Sequence, residues 1–343
     1  MSKVGKIKGP VLVTGAAGFI GFHVARRLLE LGCEVIGFDS VNDYYDPMLK
    51  EARLAELARL PGSVFVRADL ADQANLVETF RKHRPTHVVH LAAQAGVRYS
   101  LTNPDVYATA NLVGFQNILE CCRHGGVEHL IYASSSSVYG ANRTMPFSVS
   151  HNVDHPVSLY GATKKANELM AHAYSHLFRL PMTGLRFFTV YGPWGRPDMA
   201  MFIFARSIVA GEVVNLFNYG RMRRDFTYID DIVEAVVRLV PQPAEPNPTW
   251  SAETPDPATS NAPYRIYNIG NNAPVDVREV LHLIEENLGR IAKVVLMPIQ
   301  PGDVAASWAD IDALQTAIGF SPATPIETGI ASFIDWFKAY HRI

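Results

Sequence analysis

Short apolar runs alternate with amphipathic segments through the first half of the chain. The runs are rich in β-branched residues, as buried strands are, and the segments between them carry apolar residues at helical spacing. In the first such segment these residues are Val24, Leu28 and Leu31. The predicted strands are 11–14, 35–38, 64–66, 88–92, 130–134 and 183–188, and a long helical stretch covers 106–123. This alternation predicts an α/β fold with a doubly wound parallel sheet, which binds ligands at the carboxyl ends of its strands.

The turn after the first predicted strand is rich in glycine. Gly15, Gly18 and Gly21 precede the first helical segment, and glycine lets a pyrophosphate approach the backbone of such a turn. The helix N-terminus behind it offers free N–H groups and a favourable dipole for phosphates. Asp39 ends the second strand, where a carboxylate can accept both ribose hydroxyls and repel the 2′-phosphate of NADP. The pattern predicts an NAD site; the alternative is a glycine-rich turn that binds no ligand.

The alternation of apolar runs and amphipathic segments becomes less regular after Pro193. We predict a nucleotide-binding domain over 1–192 and a mainly substrate-binding region over 193–343, smaller and discontinuous, with some segments returning to the first domain. Residues 241–263 are dense in Pro, Ser, Thr and Asn, which predicts a long surface loop, partly disordered.

Tyr160 and Lys164 lie four residues apart, downstream of four consecutive serines at 134–137. Residues spaced i and i+4 share one face of a helix, so the phenol and the ammonium are expected to point into one pocket. A nearby cation lowers the pKa of a tyrosine and prepares it for proton transfer. A serine hydroxyl from a strand end could share the substrate oxygen whose proton moves. The alternative is an exposed pair on a helix surface.

Composition narrows the range of partners. The chain has 343 residues, of which 48% are apolar, and a net charge of −2, so a large core is expected and no basic surface suggests nucleic acid. The three cysteines suggest neither a disulfide framework nor a metal site, and the histidines show no metal-ligand spacing. No apolar stretch is long enough for a membrane span, and residues 1–10 do not resemble a signal peptide. We therefore expect a soluble, cytoplasmic protein without a metal.

Together these motifs resemble the extended short-chain dehydrogenase/reductase superfamily, in its nucleotide-sugar branch, from about residue 10 to about residue 336. Within that branch the motifs are most similar to those of the UDP-glucuronate 4-epimerases. The resemblance implies a Rossmann domain, NAD as cofactor and a UDP-sugar as substrate, and we expect a homodimer. The segments that carry it are 14–21, 90–100, 134–140, 160–164, 186–200, 223–232 and 300–304.

The resemblance also implies roles for individual residues. The catalytic residues are Tyr160, Lys164 and Ser135. The cofactor-binding residues are Gly15, Gly18, Phe19, Ile20, Gly21, Asp39, Asp69, Leu70, Ala92, Ala93 and Lys164. The substrate-binding residues are Arg98, Ser135, Ser136, Thr189, Arg196, Phe217, Asn218, Arg224 and Asp303.

The implied substrate contacts fall into two groups. Arg224 and Arg98 would hold the diphosphate, Phe217 and Asn218 would flank the uracil, and Asp303 would contact the uridine ribose. Thr189 and Arg196 would recognise a sugar carboxylate.

Several of these assignments leave an alternative open. Asp69 would equally suit the N-cap of the following helix. A lone arginine such as Arg98 is often a solvated surface charge, as we expect for Arg223. Thr189 could be an ordinary strand residue and Arg196 a loop charge.

Ser136 and Ser137 separate the reaction classes within the branch. In the similar 4,6-dehydratases an Asp-Glu pair follows the residue equivalent to Ser135, and the decarboxylases carry a Glu before the Val-Tyr-Gly segment. Serine cannot act as an acid or base at neutral pH, so the chain is left with hydride transfer and its reversal. We expect epimerisation at C4. The open alternatives are a UDP-glucose/galactose 4-epimerase, a UDP-glucuronate decarboxylase and a non-catalytic NAD-binding protein.

Overall fold

The protein is described here by a computed structural model that covers Gly5 and residues 7–343. The strands in these residues are β1 (Val11–Thr14), β2 (Val35–Asp39), β3 (Ser63–Arg67), β4 (His87–His90), β5 (His129–Ser135), β6 (Met182–Phe187), β7 (Thr189–Tyr191), β8 (Val213–Leu216), β9 (Arg223–Tyr228), β10 (Tyr264–Ile269), β11 (Pro274–Asp276), β12 (Lys293–Leu296) and β13 (Ala306–Ser307). The α-helices are α1 (Phe19–Glu30), α2 (Pro47–Ala58), α3 (Gln73–His83), α4 (Tyr99–Thr102), α5 (Pro104–Tyr107), α6 (Gly114–Gly125), α7 (Leu159–Phe178), α8 (Ala200–Ala210), α9 (Ile229–Leu239), α10 (Val277–Leu288), α11 (Asp312–Ile318) and α12 (Ile326–His341).

In the described part of the chain, seven strands form one sheet in the order β3-β2-β1-β4-β5-β6-β10. Every neighbouring pair in this sheet is parallel. The strand order reverses direction at β1, where a doubly wound sheet opens a crevice for ligands. The predicted α/β fold with a parallel Rossmann sheet is confirmed.

Apolar side chains cover both faces of this sheet. Along β1, Val11 and Val13 pack into one core with helices α1 and α9, whereas Leu12 packs into a second core with α3 and α6. Successive side chains of a strand point to opposite faces, so an uninterrupted apolar run is what a strand covered by helices on both sides requires.

A smaller assembly follows the main sheet and carries its own apolar core. Strand β9 pairs with β7, β11 and β13, and β8 pairs with β12. Helices α8, α10 and α12 enclose the third core, to which Phe202, Ile284 and Phe333 belong. Asp225 of β9 is fully buried and accepts hydrogen bonds from the backbone N–H groups of Asn271, Asn272 and Ala309. This carboxylate ties three separate segments together beside the main sheet.

The long predicted helical stretch is divided in the structure. Helix α5 continues through a π-helical segment, Ala108–Val113, into α6. Residues 241–263 contain no helix or strand, as their composition suggests. Ala258, Ser260 and Ala262 are nevertheless buried, and the N–H of Asn247 donates to the carbonyl of Ser260. No helix within Gly5 and 7–343 is long and apolar enough to cross a membrane.

Candidate active site

One large cavity of about 1150 Å³ lies between the carboxyl ends of the main sheet and the smaller assembly. Its floor is built by the residues that follow β1, β2, β3, β4 and β5. The opposite wall comes from β7, α8, the short helical turn after β8 and the loop before β13. Of the site residues predicted from the sequence, all except Asn218 line this cavity.

The glycine turn is too tightly packed for side chains. A Cβ atom at Gly21 would lie 2.0 Å from the carbonyl oxygen of Gly15, and one at Gly15 would lie 2.7 Å from the backbone nitrogen of Ala92. Gly15 also has a φ of +73°, which L side chains rarely adopt. Helix α1 begins after Gly18 without a side-chain cap, and its first residues line the cavity, so a phosphate could accept from N–H groups that no side chain caps. The turn therefore fits the pyrophosphate of a dinucleotide.

Asp39 lies at the end of β2 and is anchored by backbone donors. Its carboxylate accepts from the N–H groups of Ala17 and Val41 at 3.0 and 2.8 Å. Burial raises the pKa of Asp39, while these hydrogen bonds and the charge of Lys50 oppose that effect. Each carboxylate oxygen retains a second lone pair, which suits the acceptor role predicted for a ribose.

Asp69 does not cap the helix that follows it. Its side chain accepts from the N–H of Ala71 at 2.8 Å, and Asp72 is the N-cap of α3. Asp69 and the buried Leu70 both line the cavity. The N-cap alternative is therefore wrong for Asp69, because the helix begins three residues later than that alternative requires.

Tyr160 and Lys164 both line the cavity from α7, as their spacing predicts. The Lys164 side chain donates to the carbonyl of Ala133 at 2.9 Å, and burial lowers the pKa of Lys164 to about 8. Burial raises the pKa of Tyr160, while a hydrogen bond with Ser135 and the charge of Arg196 lower it. The ammonium of Lys164 keeps two further donors, and its expected effect on the pKa of Tyr160 stays a prediction.

Ser135 ends β5 and is buried at the floor of the cavity. Its hydroxyl oxygen accepts from the N–H of Ser137 at 3.1 Å, which holds the short helical turn formed by Ser136–Tyr139. Ser136 lies on this turn and lines the cavity. The structure thus brings Ser135, Ser136, Tyr160 and Lys164 to one wall.

A buried polar network lies directly behind this wall. Ser134 donates to Glu168 at 2.6 Å, and Arg186 forms a bidentate ion pair with Glu168 at 2.8 and 2.9 Å. Arg186 also donates to the hydroxyl of Tyr139 at 3.1 Å. These contacts join β5, which carries Ser135, to α7, which carries Tyr160 and Lys164, and join both elements to β6.

Three of the residues predicted to bind the substrate, Arg98, Asp303 and Phe217, contact one another at the cavity wall. Arg98 pairs with Asp303 at 2.9 Å and lies over the ring of Phe217, 4.4 Å from its centroid. Arg224 donates to the carbonyl of Val304 at 2.6 Å, and the charges of Asp303 and Arg98 both act on its pKa, which burial lowers. The structure therefore gathers two guanidinium groups, a carboxylate and an aromatic ring, as a nucleotide diphosphate site needs.

Asn218 is the exception among the predicted residues. It has a left-handed backbone conformation, with φ of 49°, and its side-chain amide donates to the carbonyl of Arg221 at 2.8 Å. The predicted contact with the substrate is not supported by this position, because the amide caps its own turn beside the cavity.

Thr189, the first residue of β7, and Arg196, in the loop after β7, both line the cavity. Arg196 forms a bidentate ion pair with Asp198, with its Nε at 3.0 Å and one terminal nitrogen at 2.6 Å. Its charge reaches Tyr160, so a guanidinium lies in the part of the cavity that contains the phenol.

Sequence reasoning missed Asp198, Tyr44 and Lys50, which also line the cavity. Lys50 donates to the carbonyl and side chain of Asn42 at 2.6 and 2.7 Å. Lys50 and Arg53 occupy buried positions of α2 beside Leu49 and Leu57. The signal in the sequence that would have found Lys50 is its spacing on the face of α2 that carries Leu49, Arg53 and Leu57.

The fold and this cavity define a Rossmann-type nucleotide-binding protein of the short-chain dehydrogenase/reductase superfamily. Residues 11–270 match the family described as "NAD dependent epimerase/dehydratase family". The chain belongs to this family. Because the family is NAD-dependent, and because the glycine turn and Asp39 fit a dinucleotide, NAD is the cofactor.

Similar proteins cover nearly the whole chain. It is 55% identical over 332 residues to protein CapI of Staphylococcus aureus, a match that covers 97% of this chain and 99% of that protein. It is 48% identical over 333 residues to a Rhizobium meliloti (strain 1021) protein named "Probable UDP-glucuronate 4-epimerase", covering 96% and 97%. The crystal structure of UDP-glucuronic acid 4-epimerase from Bacillus cereus in complex with UDP-glucuronic acid and NAD has a TM-score of 0.84, 30% identity and coverages of 96% and 99%.

Proposed function

We propose that this protein is an NAD-dependent 4-epimerase of UDP-sugars and that its substrate is UDP-glucuronate, which it converts to UDP-galacturonate. Support for the reaction type comes from the cavity wall that holds Tyr160, Lys164 and Ser135. Support also comes from the similarity to the Rhizobium meliloti and Bacillus cereus proteins. The cytoplasmic location and the homodimer expected from the sequence remain predictions.

NAD, when bound, supplies the reversible hydride acceptor for C4 of the sugar. The glycine turn and Asp39 would hold its pyrophosphate and adenine ribose, and Lys164 would bind its other ribose. Tyr160 accepts the proton of the sugar 4-hydroxyl as C4 is oxidised, and it returns that proton after the 4-keto sugar has presented its other face. Ser135 and Arg196 favour the phenolate form of Tyr160 against the effect of burial. No proton or hydride is lost over one turnover, so substrate and product are isomers.

The uridine diphosphate must stay in place while the sugar turns. Arg98 and Arg224 offer forked donors for the diphosphate, and Asp303 and Phe217 lie beside them. The cavity of about 1150 Å³ exceeds the upper end of ordinary small-molecule sites, and it must hold both NAD and the UDP-sugar. These residues support a nucleotide that is fixed while its sugar turns.

The single observation that favours an acidic sugar is the position of Arg196. Its guanidinium lines the cavity and acts on Tyr160, so a positive charge lies near the group that must meet the sugar 4-hydroxyl. Asp198 holds one edge of this guanidinium, and a sugar carboxylate could accept from the donors that the ion pair leaves. Thr189, which carries a hydroxyl, also lines the cavity.

The test is to incubate the purified protein with UDP-glucuronate and, separately, with UDP-glucose, and to separate the products by chromatography. We expect UDP-galacturonate from the first substrate, no net production of NADH, and NAD bound to the protein as isolated. Conversion of UDP-glucose to UDP-galactose without reaction of UDP-glucuronate would contradict the uronate assignment. Release of CO₂ with a UDP-pentose would identify a decarboxylase, and inactivity with both substrates would contradict the epimerase.

A further inference from the structure

Arg196 is held from one side by a carboxylate that the proposed reaction does not use. Asp198 contacts Nε and one terminal nitrogen of the guanidinium at 3.0 and 2.6 Å. A guanidinium has five N–H donors in a planar fork, so this pairing occupies one edge and leaves the donors of the other terminal nitrogen. Within the described residues, that nitrogen makes no further hydrogen bond. Arg196 can therefore contact a second carboxylate while Asp198 stays bound.

Asp198 is itself fixed by a residue from the other half of the cavity. The hydroxyl of Tyr44 donates to Asp198 at 3.0 Å, across 154 residues of sequence. Tyr44 lies in the loop after β2, close to Asp39, and its ring packs on Tyr99 with centroids 4.8 Å apart. A Cβ atom at Gly96 would lie 2.8 Å from the Tyr44 oxygen, so this glycine is needed for the tyrosine to reach Asp198.

The contacts among Arg196, Asp198 and Tyr44 determine which of these groups are ionised. Although burial opposes the ionisation of Asp198, the charge of Arg196 and the hydrogen bonds from Arg196 and Tyr44 hold its pKa below the usual range. Burial and the charge of Asp198 raise the pKa of Tyr44, so Tyr44 remains the hydrogen-bond donor. Arg196 and Asp198 are consequently a matched ion pair at the cavity wall.

We propose that Asp198, held in place by Tyr44, is a positioning residue that balances the charge of Arg196, so that an acidic sugar is recognised without being trapped in one pose. This inference rests on the proposed epimerisation of UDP-glucuronate. An epimerase must bind the sugar in two orientations and release it between them. Binding that is tight in one ground-state pose slows the turnover that follows.

The ion pair between Arg196 and Asp198 contributes both to the recognition of the acidic sugar and to its release. Asp198 holds the guanidinium of Arg196 in one orientation before the substrate arrives. The carboxylate of Asp198 also repels the sugar carboxylate at the same guanidinium. The remaining attraction orients the sugar while allowing its release.

The test is Asp198→Asn, which keeps the shape of the side chain and removes its charge. Affinities for UDP-glucuronate and UDP-glucose are measured by calorimetry with Tyr160→Phe as a catalytically inactive background, and kcat is measured without that background. We expect UDP-glucuronate to bind about tenfold more tightly, as one added charge-assisted hydrogen bond would allow. The affinity for UDP-glucose should stay unchanged, while kcat for UDP-glucuronate should fall.

Two further variants define the cause. Asp43→Asn makes the same charge change on the exposed neighbour of Tyr44 and should leave both affinities and kcat unchanged. Tyr44→Phe removes only the support of Asp198 and should shift the affinity for UDP-glucuronate and its kcat in the same direction as Asp198→Asn, by a smaller factor. Thermal unfolding and NAD content of each variant establish that it is folded.

Weaker binding of UDP-glucuronate in Asp198→Asn, tighter binding without a fall in kcat, or equal changes for both sugars would each overturn the inference. These results are distinct from a failure of the proposed function. If the wild-type protein does not convert UDP-glucuronate, the function fails. If it does and the variant behaves otherwise than expected, only the role of Asp198 fails.

Discussion

Opposing effects act on the hydroxyl of Tyr160. Burial raises its pKa, whereas the hydrogen bond with Ser135 and the charge of Arg196 lower it. Ser135 and Arg196 are 25 and 36 positions away in sequence, and only the fold brings them to the tyrosine. The ammonium of Lys164, four residues from Tyr160, donates to the carbonyl of Ala133.

Replacing Tyr160 by Phe removes the proton acceptor and little volume. We expect kcat for UDP-glucuronate to fall roughly 100- to 10,000-fold, the usual contribution of a positioned acid–base group. Binding of NAD and of the UDP-sugar should be largely retained, since neither the glycine turn nor the arginines are altered. Steady-state kinetics and calorimetry on the same preparation measure the two effects. A rate close to wild type would remove Tyr160 from the mechanism.

At the level of elements, the buried pair Glu168–Arg186 joins helix α7 to strand β6 behind the catalytic wall. Both side chains are almost fully buried, with exposed fractions of 2% and 0%. Ser134 donates to the same carboxylate, so the strand that carries Ser135 is also included. The relative positions of Ser135, Tyr160 and Lys164 are set partly by this network.

Arg186→Met should leave the Glu168 carboxylate buried without its bidentate partner, with only the ammonium of Lys165 3.8 Å away. We expect the free energy of unfolding to fall by about 3–5 kcal/mol, measured by urea titration. Adding Glu168→Gln should recover part of this loss, because the uncompensated charge is then removed. The matched control is Arg67→Met, since the pair of Arg67 with Glu51 is half exposed and should contribute at most about 1 kcal/mol. Equal losses at the two sites would contradict a structural role for the buried pair.

At the level of the whole molecule, three histidines are enclosed by different parts of the fold. His23 contacts the carbonyl of Pro193, His90 contacts Thr14, and His129 bridges the carbonyl of Val240 and Thr183. Burial lowers their pKa values from 6.5 to about 3, about 3 and about 4 respectively. The folded protein therefore keeps these side chains neutral in a pH range where the unfolded chain protonates them.

This difference predicts a loss of stability in mild acid. Below pH 6.5 the unfolded state binds more protons at these histidines than the folded state, so the free energy of unfolding falls as pH falls, until about pH 4 for His129 and about pH 3 for His23 and His90. Each histidine contributes a slope that approaches about 1.4 kcal/mol per pH unit. Urea unfolding at several pH values between 7 and 4.5 measures the total. His129→Gln should remove the contribution of one histidine from this slope. His282→Gln, at an exposed site, should leave the slope unchanged.

The sequence by itself determined the parts of the protein that depend on neighbours in the chain. Buried β-branched runs specify strands wherever both faces of a sheet are covered, and β1 begins and ends where its run does. The glycine spacing and the four-residue step from Tyr160 to Lys164 are local geometry, so they indicated the glycine turn and the helix that carries both side chains into the cavity.

Only the tertiary structure decided which polar groups pair across the cavity. The pairs Tyr44–Asp198 and Arg98–Asp303 are separated by 154 and 205 residues, and no periodicity along the chain encodes such contacts. Periodicity also does not encode the hydrogen bond from the Lys164 ammonium to the carbonyl of Ala133. Nor does it encode the turn in which the side-chain amide of Asn218 donates to the carbonyl of Arg221. Long-range polar pairing depends on distances that exist only after the sheet, its helices and the smaller assembly have packed together.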